Sequence, residues 1–104
     1  MKKYYFIAAV LFLMTACAVS KRFQPDEKNI SSMQQKVPGI TMEDLKEGMI
    51  IYKKTCSSCH QLYVPSAFTK PQWEKTLVEM FPKAKIVDEP SQKKVRDYLY
   101  AMAK

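Results

Sequence analysis

The apolar positions of this chain fall into two kinds of pattern. Tyr4 to Met14 is an almost unbroken apolar run behind Lys2 and Lys3. From residue 41 onward the apolar side chains recur at helical spacing instead. Leu45, Met49 and Tyr52 stand at i, i+4 and i+7; Trp73, Leu77, Met80 and Phe81 stand at i, i+4, i+7 and i+8; Val95, Tyr98, Leu99 and Met102 keep the same period. Each set puts one apolar face on a helix. The pattern predicts helices over about 42–55, from about 70 to near 80, and from about 89 to near the C-terminus. Between Ala18 and about Ile40 neither a 3.6-residue nor a 2-residue period is sustained.

Local signals agree with these bounds. Thr41 precedes Glu43 and Asp44, Thr69-Lys70-Pro71-Gln72 has capping-box spacing, and Asp88-Glu89-Pro90-Ser91 opens in the same manner. Acidic or capping side chains satisfy the free N–H groups of a first turn, and Pro is tolerated there. Pro82 disfavours helical geometry at Phe81, so the middle helix is expected to end near Met80. Gly48 lies on an apolar face, where a missing side chain lets another helix come close. Lys85-Ile86-Val87 is too short for a sheet and glycine is scarce, so the fold class is all-α.

The N-terminal run has the order of an export signal: a basic start, an apolar stretch, then small residues before a cysteine. It is shorter than the ~20 residues a membrane-spanning helix needs. Met14-Thr15-Ala16-Cys17 resembles the lipobox of bacterial lipoproteins. The resemblance implies residues 1–16 as signal peptide and Cys17 as a lipidated first residue, with 17–40 a flexible tether and 41–104 the folded domain. Ordinary cleavage leaving a free Cys17 thiol is the alternative, and an irregular arm packed through Phe23 and Ile30 is the alternative to a tether. The expected location is at a membrane, facing the periplasm or outer surface.

Charge adds little to this picture. Lys and Arg number 17 against 10 acidic residues, a formal +7 that falls to +5 without Lys2 and Lys3. A basic surface can meet acidic proteins, anionic lipid or nucleic acid. Export and the lack of a nucleic-acid-binding motif exclude the last.

The candidate chemistry is concentrated in Cys56-Ser57-Ser58-Cys59-His60, which reads as the attachment site of one covalent haem c. Two thiols one helical turn apart can each form a thioether with a vinyl group, leaving His60 to bind iron through its neutral ring. A structural zinc site wants four ligands, and the chain has one His and three Cys, one of which has another use. A thioredoxin-like dithiol would need a βαβ setting that is absent.

Gly48, Tyr52, the Cys56–His60 motif and a terminal helix bearing Tyr98-Leu99 together resemble class I cytochrome c, over about the last 64 residues. The resemblance implies a small helical domain around the haem, with one methionine as the sixth iron ligand. Met80, just before Pro82, is the expected ligand; Met102 is the second candidate, and Met49 is expected to pack. The segment after His60 is shorter than in the commonest members and lacks their methionine loop. Met/His ligation closes both axial positions, which suits an electron carrier and not an enzyme. Lys53, Lys54, Lys70 and Lys75 would then flank the haem surface and steer acidic redox partners. A haem enzyme or gas sensor with an exchangeable sixth site, or a haem subunit of a larger oxidoreductase, stays open. Hydrolytic chemistry has no support, because paired carboxylates, a nucleophile–base set and a phosphate loop are all missing.

Overall fold

The computed structural model describes residues 21–58 and 61–104. Within them lie four α-helices: α1 (Glu27–Lys36), α2 (Met42–Thr55), α3 (Lys70–Lys83) and α4 (Glu89–Met102). Single 3₁₀ turns occupy Cys56–Ser58 and Pro65–Ala67. No strand occurs among the described residues, in agreement with the all-α expectation.

Each helix starts where a side chain takes over the orphaned N–H groups of the first turn. Asp26 and Asn29 cap α1 reciprocally, Thr41 and Asp44 do so for α2, and Thr69 and Gln72 for α3. The Asp88 carboxylate accepts the Ser91 N–H at 3.0 Å to start α4.

The packing centres on α4, which lies against α1, α2 and α3. Its Val95, Tyr98 and Leu99 are fully buried. The tightest approach is at Gly48 of α2. A Cβ built there would overlap the Lys94 carbonyl oxygen and stand 2.8 Å from the Tyr98 Cβ. Only glycine lets the two backbones cross this closely.

Two expectations are corrected. Residues 21–40 are not a flexible tether: Ile30 and Met33 of α1 are buried with Ile40 and Leu45 in a second apolar cluster, and Phe23 joins the main core. The Tyr98 hydroxyl donates to the Phe23 carbonyl at 2.5 Å, and the Asn29 side chain donates to the Ala101 carbonyl at 3.0 Å. The folded unit therefore begins well before residue 41. The second correction concerns α3, which runs through Pro82 to Lys83. Proline removes a backbone donor, and the chain closes the last turn with other ones: the N–H groups of Ala84, Lys85 and Ile86 reach the carbonyls of Met80, Pro82 and Phe81.

Candidate haem site

The site is built between α2 and α3. From α2 comes Tyr52, one turn before the buried Cys56, which opens the 3₁₀ turn. From α3 come Trp73, Thr76, Leu77 and Met80, one face of the helix over two turns. With Leu62 and Tyr63 these residues line an apolar cavity of about 50 Å³. Cys56 and Met80 thus face the same space. Met102 lies elsewhere, packed against the main core at the end of α4. Cys59, His60 and Cys17 lie outside the described residues.

An aromatic chain frames the cavity. Tyr52 meets the Trp73 ring edge-on at 6.0 Å between centroids, Trp73 meets Phe68 at 5.0 Å, and Phe68 meets Tyr63 at 5.4 Å. Such edge-to-face pairs stabilise beyond the area they bury. Their polar atoms are turned away and satisfied. The Trp73 indole donates to the Pro65 carbonyl at 2.8 Å, and the Tyr52 hydroxyl donates to the Tyr63 carbonyl at 2.6 Å. Both bonds pin the short segment after the cysteine motif onto the two helices. Burial, and after it the neighbouring Cys56 thiol, pushes the Tyr52 phenol far above its ordinary pKa; burial does the same to Tyr98. Both remain protonated donors at any physiological pH.

On the outer side, Leu62 and Tyr63 also border an open groove of about 770 Å³, together with Gln61, Val64, Ser66 and, from the N-terminal arm, Arg22. The inner cavity alone is too small for a cofactor, whose sites typically measure ~300–1,000 Å³. Cavity and groove together supply an apolar bed with a polar margin, which fits an amphipathic macrocycle. Of the lysines expected to flank it, Lys53 sits over the Phe23 ring and Lys70 over the Tyr100 ring, at 5.7 and 5.0 Å from their centroids. Lys54 and Lys75 are exposed. No group of three or more metal-ligating side chains occurs among the described residues, and no helix among them is long and apolar enough to cross a membrane.

Sequence reasoning did not find Leu62, Tyr63, Thr76 or Arg22. Leu62 and Tyr63 lie in an irregular segment, where no period betrays which side is inward. Thr76 was legible in principle, one turn before Met80 on the same face.

Cys56 is thus buried at the end of a helix beside an apolar cavity that Met80 also lines. Residues 52–104 match the family described as dihaem cytochrome c, just over half of the chain, and the chain belongs to that family. No curated protein and no solved structure matches it. The family's name specifies two haems, whereas the class I resemblance implies one. This chain contains one Cys-x-x-Cys-His motif and one His.

Proposed function

We propose that this chain transfers single electrons between exported redox proteins, using one covalently attached haem, and that it is held at a membrane by lipid on Cys17. The observation that carries the reading is the shared cavity of Cys56 and Met80. Cys56 and Cys59 would hold the haem covalently, and His60 and Met80 would be the ligands of its iron. When bound, the haem supplies a reversible ferric–ferrous couple. The chain's own residues exclude water from it: Trp73 and Leu77 are buried, and the hydroxyl of Tyr52 is engaged with the Tyr63 carbonyl. With His60 and Met80 as ligands the iron would have no position left for a substrate, which is why the reading is a carrier and not an enzyme. The count of one haem rests on the single attachment motif and the single His.

The anchored arm supports a short leash. Phe23 is buried, and Cys17 lies six residues before it, so lipid and core are separated by roughly 20 Å at full extension. The haem domain would stay close to the membrane and meet partners there, its exposed lysines favouring acidic ones.

The test is the optical spectrum and haem content of the wild type beside Met80→Ala. One haem per chain is expected, with a methionine-to-ferric-iron charge-transfer band that the substitution removes. A band that survives would move the sixth ligand to Met102, and rapid carbon monoxide binding by the wild type would replace the carrier with an exchangeable-site haem protein. Cys17→Ser is expected to release the protein from membranes.

A further inference from the structure

The groove outside the cavity contains one charged side chain among its described residues, and that side chain comes from the segment expected to be a tether. We infer that Arg22 is the partner of the haem carboxylates, so that the N-terminal arm is part of the cofactor site. The inference rests on the haem reading above and adds a residue and a role to it.

Three observations carry it. First, the groove shares Leu62 and Tyr63 with the cavity that Cys56 and Met80 line, so it adjoins the space beside the attachment cysteine. Second, the groove has the polarity that a haem edge needs. Leu62 and Val64 are apolar, whereas Arg22, Gln61 and Ser66 are polar. A haem is apolar except for its two carboxylates, and a guanidinium offers a planar fork that binds a carboxylate through two parallel hydrogen bonds. Third, the backbone beside Arg22 is docked on the core. The next residue, Phe23, is buried, and its carbonyl accepts the Tyr98 hydroxyl. Docking of the arm therefore presents the arginine to the groove.

The neighbouring cation is Lys53, whose ammonium lies over the Phe23 ring. It does not line the groove, so the two positions make separate predictions.

A cation at the haem edge disfavours the ferric state, which carries one more positive charge than the ferrous. Arg22 then raises the reduction potential and lends the arm influence over it. Arg22 is exposed, so part of the effect is screened and grows as salt is lowered.

The experiment compares the midpoint potentials of the full-length haem protein with Arg22→Gln, Arg22→Glu, Arg22→Lys and Lys53→Gln, at low salt, after haem content and helical content are matched. The expected result is a fall for Arg22→Gln, a larger fall for Arg22→Glu, and a value near wild type for Arg22→Lys and Lys53→Gln. Rescue by lysine separates charge from packing. Equal potentials throughout, or a fall confined to Lys53→Gln, would overturn the assignment while leaving the haem reading in place. A wild-type protein that carries no haem would overturn both.

Discussion

Helix α2 meets α4 and α3 in different ways. Against α4 it is closed by the polypeptide alone: Gly48 admits the Lys94 backbone, and Leu45, Val95, Tyr98 and Leu99 are fully buried. Against α3 it leaves an apolar gap bridged by the edge-on Tyr52–Trp73 contact and by the cavity that Cys56 and Met80 line. Protein interiors pack to crystal-like density, and an unfilled apolar wall forfeits dispersion contacts. The contrast separates a face closed by polypeptide from a face that keeps an apolar cavity. A glycine marks the first, and a buried cysteine opposite a methionine marks the second.

The largest effect should come from emptying the second face. Replacing Cys56 and Cys59 together by Ala removes the covalent hold on the haem, and a domain this small then lacks much of its apolar interior. Loss of visible absorbance together with loss of most far-ultraviolet dichroism is expected; a native-like dichroism spectrum would show that α3 closes on α2 unaided. Next comes the first face. Gly48→Val forces a side chain into the Lys94 carbonyl and should destabilise by about 3 kcal/mol or more in chemical denaturation, with the haem spectrum retained in what remains folded. A cost near that of an exposed helix substitution would mean that the crossing is loose.

Tyr98→Phe removes only the hydroxyl that reaches the Phe23 carbonyl. It should cost about 1 kcal/mol and speed amide exchange in residues 21–36, leaving α2–α4 exchange nearly unchanged. The smallest effect is one of pH. The Thr41 backbone N–H and hydroxyl beside Asp44 hold its carboxyl below the usual range, so its contribution to α2 is complete above the ordinary carboxylate pKa and fades as pH falls through the lowered one. Asp44→Asn should flatten that part of an acid titration of stability, only slightly because the group is exposed.

Much of this was legible in the chain. The helical spacing of Leu45 to Tyr52, Trp73 to Phe81 and Val95 to Met102 describes faces that are indeed inward, because long amphipathic periods leave few alternatives. Gly48 as a contact point was legible for the same reason. Helix α1 was not, since two buried residues among eight polar ones make a weak period, although Asp26 and Asn29 formed a readable capping pair. Pro82 misled because its restriction on the preceding residue is a bias that closing hydrogen bonds can overcome. The groove required tertiary structure: Arg22 and Gln61 are far apart in the chain, and no local rule brings them together.

The bonds that dock the arm join residues 75 and 72 positions apart, at Phe23–Tyr98 and Asn29–Ala101. A contact cannot form before its later partner has been made, and closing so long a loop is entropically costly until α4 is in place. During synthesis the arm therefore cannot seat until α4 has been made, and it is the last piece to dock.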